Sequence, residues 1–262
     1  MNKTALIFGV RNERSIAFAI AKKLSENGVR VAVSYTKDTK EDVLYHLDKA
    51  GMDARLTGQV DIRDESQIKG FVESVAGQYG TIDYVLHSVA YSNHRVLCTK
   101  LPMSEEQANS FLEIPFEDLA EAIDISAYSL LRVCRVVKPF LGLNASILTM
   151  TYNASQRVIP AYAGMAIAKA ALENIMKYLA YHLGQEGHRL NALSPGLLMT
   201  TSAAVISNVR TMRKKSKAAA PLGNITVEDV AEAASYYFSD ASQRVCGNIH
   251  YIDGGLNIMG ID

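Results

Sequence analysis

Tyr162 and Lys169 stand seven residues apart in the run Pro160-Ala161-Tyr162-Ala163-Gly164-Met165-Ala166-Ile167-Ala168-Lys169, and Tyr152 lies ten residues ahead of Tyr162. On an α-helix seven residues turn through about 700°, so both side chains share a face about 10.5 Å apart along the axis. A phenol and an ammonium placed this way suit acid chemistry, because the positive charge makes the phenol a better proton or hydrogen-bond donor. A lysine four residues after the tyrosine would sit closer. Position 166 is alanine, however, and Tyr152 is followed at that spacing by Gln156. Taken alone, the pair is also what one face of an amphipathic helix looks like. Its meaning depends on the elements that carry it.

Those elements alternate short apolar runs with longer amphipathic ones, the pattern of βαβ units. Strand-like runs are Thr4–Val10, Arg30–Tyr35, Arg55–Val60, Tyr84–Ser88, Ser146–Met150, Arg189–Ser194 and Asn248–Ile252. Several are apolar almost throughout, as strands covered on both faces must be. Helix-length segments fall between them: Ser15–Asn27, Thr39–Ala50, Asp64–Tyr79, Phe116–Val137, Tyr162–Leu183 and Val227–Asp240. The first has an apolar stripe at Ile16, Ala19, Ile20 and Leu24 and stops at Asn27-Gly28; the last opens on a hydroxyl cap, Thr226, followed by acids. The pattern predicts an α/β fold: one doubly wound, seven-stranded parallel sheet with helices on both faces. No linker, repeat or low-complexity tract interrupts it, so residues 1–262 read as a single domain. Two long segments, 91–115 and 197–222, follow strand ends, where open α/β sheets bind ligands, and read as substrate loops.

Composition narrows the function classes. The 27 basic and 27 acidic residues cancel, so no global field favours nucleic acid or an acidic membrane surface. The basic run Arg210-Thr211-Met212-Arg213-Lys214-Lys215 reads as a solvated helix face. Three cysteines without a CxxC pair suit a reducing compartment. With no signal-like leader and no apolar stretch of about 18 residues, a cytoplasmic protein without membrane association is expected.

The first strand runs into Gly9-Val10-Arg11-Asn12-Glu13-Arg14-Ser15-Ile16-Ala17. A glycine at a strand end permits a tight turn, and the helix N-terminus that follows offers unpaired N–H groups to a pyrophosphate. The usual GxGxxG triplet is absent. Asp61-Ile62 ends the third strand and His87-Ser88-Val89-Ala90 the fourth, and Asp124-Ile125-Ser126-Ala127-Tyr128-Ser129 lies in a helix. No histidine has a partner at metal-ligand spacing, so His87 reads as a packed or hydrogen-bonded residue and no metal is expected.

In this order the motifs resemble those of the enoyl-acyl carrier protein reductases, a branch of the short-chain dehydrogenase/reductase family with a Rossmann fold. Gly9…Ser15-Ile16-Ala17 is similar to that branch's divergent dinucleotide loop, and the resemblance extends from Gly9 to Asp253-Gly254-Gly255. It implies a nicotinamide cofactor, NAD or NADP, donating hydride in its reduced form. Gly9, Ser15, Ile16, Asp61, Ile62, Ser88, Val89, Ala90, Lys169, Leu198 and Thr200 would bind it. It also implies catalysis by Tyr162, Lys169 and Tyr152, with Ser92, Tyr152 and Tyr162 at the substrate, an enoyl thioester on acyl carrier protein or coenzyme A. The seven-residue spacing matches this branch, whereas ketone-reducing relatives place the lysine four residues on and keep a serine where Thr151 stands. Such reductases are usually homotetramers, with the helices Phe116–Val137 and Tyr162–Leu183 paired across subunits.

Some readings stay open. The second strand ends without an acid, at Thr36, and Lys37 follows, so NADH and NADPH are both admissible. Ser194-Pro195-Gly196-Leu197-Leu198-Met199-Thr200 departs from the branch's usual segment, with Met199 in place of arginine, which points to a reshaped substrate rim and leaves open an acyl chain from fatty-acid biosynthesis or from a specialised pathway. A carbonyl reductase or alcohol dehydrogenase of the same fold is the alternative enzyme, and a catalytically silent dinucleotide sensor the non-enzymatic one.

Overall fold

The computed structural model describes residues 3–52, 56–97, 111–201, 203–206 and 209–260. Seven strands form one parallel sheet: β1 Thr4–Phe8, β2 Arg30–Tyr35, β3 Thr57–Gln59, β4 Ile82–His87, β5 Leu141–Met150, β6 Arg189–Pro195 and β7 Ile249–Ile252. Their spatial order is β3-β2-β1-β4-β5-β6-β7. The chain winds outward in one direction from β1 and then in the other from β4, which opens a crevice at the strands' carboxyl ends between these two.

Alternation along the strands explains why both faces need helices. Ala5 and Ile7 of β1 enter one core cluster, Leu6 and Phe8 the other, and all four are buried. One face is covered by α1 (Ile16–Glu26), α2 (Lys40–Lys49) and α8 (Val227–Phe238), through Ile20, Leu47 and Phe238. The other is covered by α3 (Glu65–Tyr79), α5 (Ser129–Val137) and α6 (Ala163–Gly184), through Phe71, Leu130 and Met176. The helix ends follow their sequence signals. Gly28 takes φ 77° after α1, Asp64 accepts bonds from the N–H groups of Ser66 and Gln67 ahead of α3, and Thr226 and Asp229 cap each other at α8.

Three segments differ from the sequence reading. The expected helix Phe116–Val137 is α4 (Phe116–Ile123), a π-turn over Asp124–Tyr128, then α5. Part of the segment 197–222 is helical: α7 spans Val209–Ala219, and among its described side chains only Val209 is buried. Strand β5 begins five residues before the expected Ser146, at Leu141. Most of the expected 91–115 loop, residues 98–110, lies outside the described residues. Among the described residues no helix is long and apolar enough to cross a membrane.

Candidate active site

A cleft of about 760 Å³ runs along the crevice. At one end it is walled by Ser34–Asp38, at and beyond the end of β2, and by Gln59–Ile62, at and beyond the end of β3. In the middle lie Gly9–Arg11, Ser15, Ile16 and Ser88–Ala90. At the other end lie Met150, Thr151, Tyr162, Lys169 and Thr200. The sequence of walls suits an adenosine, a pyrophosphate and a nicotinamide riboside in turn. Gly9 shows why the first strand must end in glycine: its φ is 102°, and a Cβ there would lie 2.1 Å from the Ser88 carbonyl oxygen.

Ser15 does something the motif did not foretell. Its hydroxyl accepts bonds from the backbone N–H groups of Arg11 and Asn12, both at 3.1 Å, and so folds the turn. It makes no capping bond to α1. Phe18 and Ala19 donate to the Ser15 carbonyl, so the N–H groups of Ile16 and Ala17 are the ones that remain available to an anion where Ser15 and Ile16 line the cleft. Across the opening, the Asn12 side-chain amide donates to Thr201 Oγ1 at 2.9 Å, joining this turn to the Thr200–Thr201 segment.

At the adenosine end, Asp61 is gripped by Arg63, whose Nε and Nη2 donate to its two carboxylate oxygens at 3.1 and 2.8 Å. The guanidinium holds the Asp61 carboxyl below its usual pKa. Arg63 also stands 3.7 Å from Glu121, and all three line the cleft. Sequence reasoning missed Arg63 and Glu121. It also passed over Asp38, an acid that shares the cleft wall with Lys37 three residues beyond β2.

The catalytic end is set by β5, the turn after it and the start of α6. Tyr162 is the residue just ahead of α6 rather than one within it, while Lys169 sits two turns in. Gly164 lets this start pack closely on the segment after β4: its N–H donates to the Val96 carbonyl at 3.0 Å, and a Cβ would lie 2.6 Å from Val96 Cγ1. Lys169 is buried and its Nζ donates to the Met150 carbonyl at 2.9 Å. Burial pushes its pKa down to about 8 against the opposing pull of Glu173. The Tyr152 and Tyr162 rings meet edge to face at 5.0 Å. Burial raises the Tyr152 phenol to about 12, and burial with the neighbouring Tyr152 raises Tyr162 further. Both phenols are therefore protonated donors at neutral pH.

Beneath them, polar side chains tie the strands to the π-turn. His87 Nε2 lies 2.8 Å from Ser129 Oγ and its Nδ1 3.0 Å from Thr149 Oγ1. Ser129 commits its own proton to the Ile125 carbonyl at 2.6 Å, so Nε2 carries the hydrogen and Thr149 donates to Nδ1. Burial drives the imidazole down to about 3, which keeps it neutral. Ser126 accepts from the Tyr91 N–H and donates to the Tyr91 carbonyl, anchoring the segment that leaves β4.

Three expected residues do not line the cleft. Leu198 is buried in the core cluster beneath α1 and α8. Ser92 stands half-buried on the segment after β4, and Tyr152 reaches the site through its contact with Tyr162.

A doubly wound sheet with a dinucleotide-shaped cleft at its switch point, closed by a tyrosine and a lysine, defines a nicotinamide-dependent short-chain dehydrogenase/reductase. More narrowly, the model of the enoyl-(acyl carrier protein) reductase family matches residues 9–257, and the chain belongs to that family. It is 34% identical over 261 residues to the NADH-type enoyl-[acyl-carrier-protein] reductase of Aquifex aeolicus, covering 99% of this chain and 93% of that one. The Bacillus cereus enoyl-acyl carrier protein reductase, solved with NADP+ and an indole naphthyridinone, superposes with a TM-score of 0.91 at 32% identity and covers 100% of both chains. The Anaplasma phagocytophilum enzyme, solved with NAD, gives 0.88 at 29% identity, covering 99% of this chain and 93% of that one. The family resemblance and the fold expected from the sequence are both borne out.

Proposed function

We propose that this chain reduces the trans-2 double bond of an enoyl thioester carried on acyl carrier protein, as a step in fatty-acid biosynthesis. The observation that carries the reading is the donor set around the substrate end. Bound there, the reduced nicotinamide supplies a hydride to the β-carbon of the substrate. Charge would then gather on the thioester oxygen, where the Tyr162 hydroxyl, held protonated, would donate a hydrogen bond, and a proton taken up at the α-carbon would complete the saturated product. Donors of this kind are typically worth about 10²- to 10³-fold in rate. Lys169, two turns along α6, holds the nicotinamide ribose, and Tyr152 fixes the Tyr162 ring by its edge-to-face contact.

The carbonyl-reductase reading is disfavoured by Thr151. Its hydroxyl proton goes to the Glu173 carboxylate at 2.6 Å, so it is not free to donate to a substrate carbonyl. Lys37 and Asp38 stand together where a ribose 2′-substituent would lie, an environment that admits NADH and NADPH alike. The enzyme is expected to work in the cytoplasm as a homotetramer. Spectrophotometric assays with NADH and NADPH against short and long enoyl thioesters test the activity. Turnover of ketones with no turnover of any enoyl thioester would defeat it.

A further inference from the structure

Glu173 is an acid where an acid is costly. It sits on α6, buried, one helical turn beyond Lys169. A carboxylate survives such a place only when its lone pairs are satisfied and a positive charge is near. Both are met at Oε1. Thr151 Oγ1 and Ser155 Oγ each donate to Glu173 Oε1 at 2.6 Å. Lys169, at the i−4 position of the same helix, supplies the charge. Its own Nζ is tied to the Met150 carbonyl. Lys169 and Glu173 thus pin Met150, Thr151 and Ser155, which bracket Tyr152, and Tyr152 packs on Tyr162.

We propose that Glu173 is a positioning residue of the reductase site, fixing the turn after β5 that presents Tyr152 to Tyr162 and acting as the counter-charge of Lys169. This rests on the reading of Tyr162 and Lys169 given above. The charge half is specific because, among the described residues, Glu173 is the charge that acts on Lys169. From β4, His87 is neutral; from the β5 exit and the start of α6, Tyr152 and Tyr162 are protonated phenols. On the far side of Glu173, Tyr251 of β7 is a phenol raised chiefly by burial, with Asp253 and Arg157 acting on it in opposite senses.

The sign is fixed. Burial pulls Lys169 down to about 8, and the Glu173 charge resists that pull. Glu173→Gln keeps an oxygen for both hydroxyls and removes the charge, so Lys169 should lose its proton at lower pH. Affinity for NADH and NADPH, followed from pH 6 to 10 by nicotinamide fluorescence, is expected to fall with a midpoint near that of Lys169 in the unaltered protein. In Glu173→Gln the midpoint moves down by roughly one pH unit or more, the size of a single charge at a neighbouring helical position. Glu173→Asp, which retains the charge, brings it back towards the original value. Thr151→Val, which cuts one tie to the turn without touching a charge, should lower kcat several-fold and leave the midpoint in place. An unmoved midpoint in Glu173→Gln overturns the charge half, and full kcat in Thr151→Val overturns the positioning half even if Glu173→Gln does not fold. Binding midpoints are read without turnover, so absence of enoyl reduction in the unaltered protein would sink the functional reading, and with it the positioning half, and still leave the charge half decided.

Discussion

At the scale of single residues, the site separates donors by where each proton is committed. Thr151 gives its proton to Glu173, Ser129 to the Ile125 carbonyl and Ser126 to the Tyr91 carbonyl, while no side-chain partner takes the phenol proton of Tyr162 among the described residues. Replacing Tyr162 with Phe should therefore lower kcat with enoyl thioester by about 10²- to 10³-fold. Cofactor affinity should stay within about twofold, since the ribose contact belongs to Lys169. Stopped-flow single turnovers with a cofactor titration check this, and equal loss in both would make Tyr162 a binding residue instead. Tyr162, Lys169 and Gly9 were legible in the sequence because each leaves a spacing or a backbone demand. Glu173 was not, since an acid on an amphipathic helix reads as solvated until the strand beside it is known. Arg63 was hidden for a similar reason: its partner Asp61 was visible as a strand-end acid, but not the turn that brings the guanidinium back onto it.

At the scale of elements, every strand and six helical segments could be placed from apolar periodicity alone, and the misses have physical causes. The π-turn at Asp124–Tyr128 is itself helical backbone, so a helix-length segment reads straight through it. Periodicity at 3.6 residues cannot register it, yet it carries Ser126 and leads into Ser129, the two hydroxyls that anchor the cleft floor. The α7 helix was legible only as the solvated face of its basic run, and its extent was not, because it buries so little. Val209 and Met212 are its apolar contacts, joining Leu197 and Ala161 in a small cluster against Tyr162. That contact sets the basic run beside the substrate end. Arg210, Lys214 and Lys215 are exposed on it, as a solvated helix face should be. A thioester on a phosphopantetheine arm arrives with negative charge, so this face is expected to steer it in. Changing Lys214 and Lys215 together to Glu should raise KM for enoyl-acyl carrier protein by about 5- to 20-fold at low salt, leave kcat near its original value, and lose most of that effect in 0.5 M salt. A KM unchanged at low salt would remove α7 from substrate docking.

At the scale of the whole molecule, the net charge of zero and the two core clusters account for one chain, but not for the apolar side chains left outside it. On α6, Tyr178 and Tyr181 are 67% and 64% exposed and lie one turn apart on a single face. On α4, which packs against α6, Phe116 is 76% exposed. Isolated exposed apolar residues are ordinary, whereas aromatic side chains concentrated on adjoining helices are what a subunit interface covers. These are the helices that bear Lys169 and Glu173 and that adjoin the π-turn, so a partner seated there would stiffen the floor of the site from behind. The expected assembly is a homotetramer: light scattering should give four times the 28.6 kDa chain mass. Changing Tyr178 and Tyr181 together to Glu should split it into smaller species, because two carboxylates would have to be desolvated at each copy of the contact. Activity should fall with assembly, through a lower kcat at dilute enzyme that recovers as concentration rises. A monomeric mass for the unaltered chain at micromolar concentration would end the proposal. A tetramer indifferent to both substitutions would move the interface off α6.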